Sequence, residues 1–242
     1  MIRAVIETLT TKMVRDRSAL ILTFVLPIVF FSLFAGMYGK HVARDVAFYA
    51  CGIGVMFLMI HASASGGSLL EEAEAGTLDR LLATRITLRQ LLVGKLLFLT
   101  IVATAQLIVM FAVGTLFFGL QMAGHVSGFL VMTVVTALAG SAFGLLLSSV
   151  VKSRAQLGAM ANLVALTMSA LGGSFYPRPL MPPFIQKLGL LTINAWALDG
   201  YLKVFWKDLP IATLWPQVAV LLALALINFA LACRFARRWE MA

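Results

Sequence analysis

Charge is the first thing this sequence lacks. Only 12% of its 242 residues are charged, whereas 61% are hydrophobic. Soluble domains run nearer a quarter charged and half apolar, so this composition belongs to the membrane class. Cysteine is scarce, with only Cys51 and Cys233. The two fall near opposite ends of their apolar blocks, and a disulfide needs alpha carbons within roughly 7 Å, so no bridge between them is expected. No GxxxxGK[ST] run occurs, because the glycine that should precede Gly94-Lys95 is Arg89. A P-loop for nucleotide phosphates is therefore absent. His41, His61 and His125 are scattered, and no His/Cys/Asp/Glu group has metal-ligand spacing. The chain brings no nucleotide pocket or metal centre of its own.

What the chain has is apolar length, with a mean hydropathy of +0.98. The hydrophobic residues arrive in blocks of about 20, enough to cross ~30 Å of hydrocarbon as a helix. Six spans are expected, at about 18–38, 46–70, 96–120, 126–151, 157–175 and 214–233. Pro27 should bend the first. Residues 39–45 carry Lys40, Arg44 and Asp45. Each would cost about 3 kcal/mol at mid-bilayer, so a surface turn is expected there. The fold class is all-α, a single polytopic membrane domain over 1–242.

Ahead of the first span, Ile2, Val5, Ile6, Leu9 and Met13 share one face of a helical pattern over 1–17. That stripe predicts a helix lying in the membrane interface. A signal peptide is the rival reading, but its charged leader would be unusually long and would contain Glu7 and Asp16. Residues 176–213 are too charged for a plain span, yet too rich in leucine and tryptophan for a free loop. A pair of short re-entrant outer helices fits them.

The net charge of +9 could suggest nucleic acid. However, the basic residues sit between apolar blocks, and no run alternates them with aromatics. Thirteen of the nineteen fall in 1–17, 71–95, 152–154 and 234–238, and six fall in 39–45 and 176–213. The positive-inside bias then predicts both termini in the cytoplasm, with the 71–95 loop beside them.

The six expected spans hold no Asp, Glu, Lys or Arg well inside the bilayer. Proton- and ion-driven carriers use such a group as a relay, so a self-powered pump is disfavoured. His61, Ser65, Gln106 and Asn162 are candidates for a substrate path; interhelical hydrogen bonding is the plainer role for His61, Gln106 and Asn162. Ser63, Ser65, Gly66 and Gly67 in span two, and Gly140, Gly144 and Ser148 in span four, permit close helix approach. Ser65-Gly66 beside His61 or His125 is the one hint of an intramembrane serine protease, but Ser63 stands where G-x-S-G has glycine.

Loop 71–95 is the most charged stretch of the chain. Thr77 can cap a helix with Asp79 in its first turn. Leu78, Leu81, Leu82 and Ile86 then recur at helical spacing. Such a stripe suits either a groove on a partner protein or the lipid headgroups.

Here the residues resemble a known family. Glu72-Ala-Glu74-Ala-Gly76-Thr77-Leu78-Asp79-Arg80-Leu81-Leu82, followed by Gly94-Lys95, is similar to the cytoplasmic loop of type-two ATP-binding-cassette (ABC-2) permeases. Leu171-Gly-Gly-Ser-Phe-Tyr-Pro177, Met181-Pro-Pro and Asn194-Ala-Trp-Ala-Leu-Asp-Gly-Tyr201 resemble that family's outer region. The resemblance implies a permease subunit, without ATPase activity, in the cell inner (cytoplasmic) membrane. It implies a homodimer or heterodimer with a related permease, in contact with membrane lipids. A separate ABC ATPase subunit would bind the ATP and Mg, and the pair would work as an exporter. It further implies that Glu72, Glu74, Gly76 and Thr77 shape the start of a coupling helix, while Leu78, Arg80, Leu81 and Leu82 touch the ATPase. Arg85 and Ile193 stand where the family often has proline. The short 39–45 loop implies no large external domain between spans one and two. An intramembrane enzyme and a non-transporting scaffold remain the alternatives.

Overall fold

The computed structural model describes residues 2–38, 43–78, 87–207 and 209–237. Among these the regular structure is entirely helical. Six helices are long and apolar enough to cross a membrane: Arg17–Met37, Val46–Glu72, Leu88–Phe118, Val126–Val150, Arg154–Gly172 and Ile211–Ala236, numbered here as spans one to six.

Spans two and four form the centre. In the most apolar window of span two 83% is buried, against 22% in span one and 17% in span six. Small residues explain the contact between the two. A Cβ on Gly144 would collide with the Ala62 carbonyl, and one on Gly66 would come within 2.7 Å of the Gly144 carbonyl oxygen. Leu58 lies against Gly140, Ala62 against Gly144, and Gly66 beside Ser148, so the two helices run in the same direction. Backbones that touch in this way gain dispersion contacts that larger side chains would forbid. Span three packs against both spans two and four, span six lies along span four, and spans one and five flank span two.

Span three departs from expectation by starting at Leu88, eight residues earlier than its apolar block. A capping box sets that start: Thr87 Oγ1 accepts from the Gln90 amide at 3.3 Å, and Gln90 Oε1 accepts from the Thr87 amide at 3.2 Å. With 31 residues the helix is about 46 Å long, so about three turns exceed the ~30 Å of hydrocarbon. Lys95 consequently belongs to a span and not to the loop.

Pro27 acts on span one through the turn before it. Its ring cannot accommodate the normal carbonyl four residues back, and Ile21–Val25 widens into a π-helical turn closed by the Leu26 amide on the Ile21 carbonyl. The turn expected at 39–45 lies partly outside the described residues, which resume with helix Ala43–Gly66.

The N-terminal helix, Ile2–Arg15, packs on span three. Ile6, Leu9 and Met13 meet Phe98, Leu99 and Val102. The apolar stripe thus faces protein, against the first turns of span three's apolar block. The outer region holds the two short helices expected of it, Pro183–Gly189 and Ile193–Phe205. Thr192 caps the second, accepting from the Ala195 amide at 3.2 Å, and this helix wedges among spans two, four, five and six.

Candidate functional site

At the end of span two, two consecutive glutamates reach different elements. Adjacent helical positions point about 100° apart, so neighbouring side chains fan outward. Glu72 accepts from Lys95 Nζ of span three at 2.8 Å, and the same ammonium donates to Ser68 Oγ at 2.8 Å. Lys95 is only 1% exposed, which makes this a buried pair, and removing one partner of such a pair typically costs about 3–5 kcal/mol. Glu71 accepts from Lys12 of the N-terminal helix and from Arg154 at the start of span five. Four elements are therefore tied at one point.

The chain then turns. Gly76 sits at φ +64°, in the left-handed region that glycine enters without steric penalty. Thr77 Oγ1 donates to the Glu72 carbonyl at 3.0 Å and closes the preceding helix end. Glu74, Gly76 and Thr77 are exposed. Leu78 is not: it is 1% exposed and packs with Leu69, Leu88, Leu91, Leu92 and Ala236. This corrects the contact role expected of Leu78. A side chain buried among five others has no surface to give a partner; it anchors the turn instead. Arg80, Leu81 and Leu82 lie outside the described residues.

Beside this knot is a cavity of about 640 Å³ between the N-terminal helix and spans one, two, three and five. His61, Ser65 and Asn162 line it; Gln106 does not. Gln106 is 2% exposed and sits about 10 Å beyond Leu99 along span three, where the helices have closed together. Thr23, in the π-helical turn, donates its one hydroxyl proton to the Ala19 carbonyl at 2.6 Å. His61 Nδ1, 2.9 Å from the same oxygen, must then be the donor to it. In the neutral ring that leaves Nε2 as an acceptor facing Ser65 Oγ at 3.3 Å. A serine–histidine contact exists, but what orients the imidazole is a threonine hydroxyl. A carboxylate in that position would stabilise an imidazolium; a hydroxyl shared with a carbonyl does so weakly. The arrangement suits a polar wall better than a nucleophile.

The outer motif resolves into pins. Asn194 Nδ2 donates to Ser169 Oγ at 2.9 Å and to Ser174 Oγ at 3.3 Å. Tyr201 is fully buried, with its hydroxyl 3.0 Å from Thr133 Oγ1. Asp199 accepts from Gln217 of span six, whose Oε1 accepts from Lys203 at 3.1 Å.

Sequence reasoning missed Lys12, Thr23, Glu71 and Arg154. Their partners are remote: 59 residues separate Lys12 from Glu71, and 83 separate Glu71 from Arg154. The only sequence signal was the doubled acid Glu71-Glu72 at the end of an apolar span.

The sequence profile described as "ABC-2 type transporter" matches residues 2–206. The "Probable multidrug ABC transporter permease YbhR" of Escherichia coli (strain K12) is 30% identical over 72% of this chain and 47% of its own length. The "Linearmycin resistance permease protein LnrN" of Bacillus subtilis (strain 168) is 23% identical over 78% of this chain and 49% of its own. The "Inner membrane transport permease YhhJ" of Escherichia coli (strain K12) is 25% identical over 69% and 45%. The chain spans about half the length of the curated relatives it matches. With a family match that covers both the Glu71–Glu72 knot and the Asn194 and Tyr201 pins, this multi-pass membrane protein belongs to the ABC-2 type transporter family.

Proposed function

We propose that the chain is the membrane-spanning subunit of an ATP-driven exporter, docked on a separate ATPase that binds the ATP and Mg. It pairs with a second permease chain, as homodimer or heterodimer, in the inner (cytoplasmic) membrane with both termini in the cytoplasm. One observation carries this reading: the exposed turn at 74–77 is held between the Glu72–Lys95 pair and the buried Leu78. A partner bearing on that turn moves spans two and three together, and through Glu71 the N-terminal helix and span five. For ATP to drive the change, the ATPase must grip the turn differently in its open and closed states. Relatives named for multidrug transport and linearmycin resistance support a small-molecule cargo, with the cavity beside His61 and Ser65 as its path.

The test is reconstitution. The full chain in lipid vesicles should recruit a P-loop ATPase from its own organism and raise that enzyme's turnover. A chain that inserts normally yet neither binds nor stimulates any such ATPase would end the proposal. Cysteines placed at Thr77 and Thr87 should react only with reagents supplied from the cytoplasmic side.

A further inference from the structure

The cavity is divided by polarity. Met13, Leu22, Leu26, Phe57, Ile60 and Phe98 wall its interior, and Lys12, Glu71 and Arg154 stand at its rim. The side chains of Lys12 and Arg154 are 63% and 59% exposed, so the charged end opens to solvent. A volume of about 640 Å³ lies within the range of about 300–1,000 Å³ typical of small-molecule sites.

Hydrogen-bonding capacity decides what such a rim can hold. Both Glu71 oxygens are engaged, Oε2 by Lys12 and Oε1 by Arg154. The Asp16 carboxylate, also on the cavity, is turned to the Ser18 and Ala19 amides at 3.0 and 3.1 Å. Lys95 is engaged by Glu72 and Ser68. An ammonium has three donors and a guanidinium five, and Lys12 and Arg154 give one each to Glu71. Both Glu71 oxygens and Asp16 Oδ1 are thus engaged, whereas Lys12 and Arg154 keep donors to spare. The formal charges of Lys12 and Arg154 are balanced by Glu71 and Asp16, so spare donors and not net charge favour an anion here.

We propose that this cavity binds a single-chain amphiphile with an anionic, phosphate-type head. The head sits on Lys12 and Arg154 at the mouth, and the hydrocarbon tail fills the chamber below. Glu71 competes with the head for the same two donors, so it sets the affinity. The site rests on the transporter reading only for the amphiphile's fate: cargo is moved, whereas a resident lipid stays.

The experiment uses the full chain in maltoside detergent and three fluorescent probes with identical tails: lysophosphatidic acid, monoacylglycerol and alkyltrimethylammonium. The anionic probe should bind about tenfold more tightly than the neutral one, as expected for a charge-assisted hydrogen bond. The double variant Lys12→Gln/Arg154→Gln should remove that advantage. Ala64→Trp, which intrudes into the chamber, should weaken all three probes. Glu71→Gln should strengthen anionic binding severalfold, because it releases both donors. That last variant guards against a double variant that fails to fold. Equal binding of the anionic and cationic probes, or a loss of anionic affinity in Glu71→Gln, overturns the proposal. With the ATPase reconstituted, MgATP-driven movement of lysophosphatidic acid marks it as cargo, and binding without movement marks a lipid site. Intact binding with no ATPase recruited would sink the transporter reading and leave this site standing.

Discussion

The two ends of the helix bundle, one around Tyr201 and one around Glu71, are held by different physics. At the Tyr201 end, Tyr201 stacks on Phe111 at 5.6 Å between ring centroids, and Phe111 meets Phe129 at 4.6 Å and Phe205 at 5.4 Å. Gly200 and Gly128 bring the outer helix onto Met132 and fit span four beneath Val204. At the Glu71 end the joints are Glu71–Lys12, Glu71–Arg154 and Glu72–Lys95, around a cavity. Close-packed aromatic surfaces have one good arrangement and resist deformation. The two Glu71 pairs, whose cations are exposed, trade partners at low cost, whereas Glu72–Lys95 is buried and holds spans two and three together. The end that packs like a core is suited to stay fixed, and the end joined through Glu71 is suited to move.

Tyr201→Ala should show the largest effect on the fold. It opens a void in the aromatic cluster and strands the Thr133 hydroxyl, for a loss of about 3–5 kcal/mol. Thermal unfolding in detergent should report this as a large drop in Tm. A loss below about 1 kcal/mol would mean that the Tyr201 end is no more rigid than the Glu71 end. Leu78→Asp comes next and should act locally. A carboxylate among Leu69, Leu88, Leu91 and Leu92 dislodges the turn. Protease cleavage within 71–95 should rise sharply and ATPase stimulation should vanish, while membrane insertion persists. Cleavage unchanged from the parent chain would contradict the anchoring role of Leu78.

Lys95→Met should cost about 3–5 kcal/mol, because it leaves the Glu72 carboxylate, whose Oε2 is already buried, without a counter-charge. Adding Glu72→Leu should recover most of that loss, since two apolar groups of similar volume replace a desolvated pair. A double variant as unstable as the single one would show that Lys95 works mainly through Ser68.

How much of this was legible in the sequence follows from the range of each interaction. The six spans were, because twenty consecutive apolar residues carry their own signal, and the second outer helix was visible in its leucines and tryptophans. The start of span three was not, because Lys95 reads as a loop charge until Glu72 and Ser68 stand opposite it. Similarly, spacing put Leu78 on an exposed stripe, whereas packing against Leu88 and Ala236 from distant segments buries it. The two acids at 72 and 74 could be picked out by resemblance. Glu71, the residue that joins most elements, could not, since its partners lie 59 and 83 residues away.

The smallest expected change in stability is also the most discriminating about the turn. Among the described residues nothing lies within 4 Å of a Cβ built on Gly76, so a side chain there meets no steric obstacle from them. The only cost is backbone: at φ +64° alanine loses about 1 kcal/mol, and asparagine, which tolerates the left-handed region, loses less. Stability should therefore fall in the order glycine, asparagine, alanine. If the ATPase approaches this turn closely, stimulation should instead fall with side-chain size, so that Gly76→Asn impairs coupling more than Gly76→Ala. Opposite rankings for Tm and for ATPase stimulation would place the partner's surface against Gly76. Identical rankings would mean that Gly76 only shapes the turn and that the contact is made elsewhere in the loop.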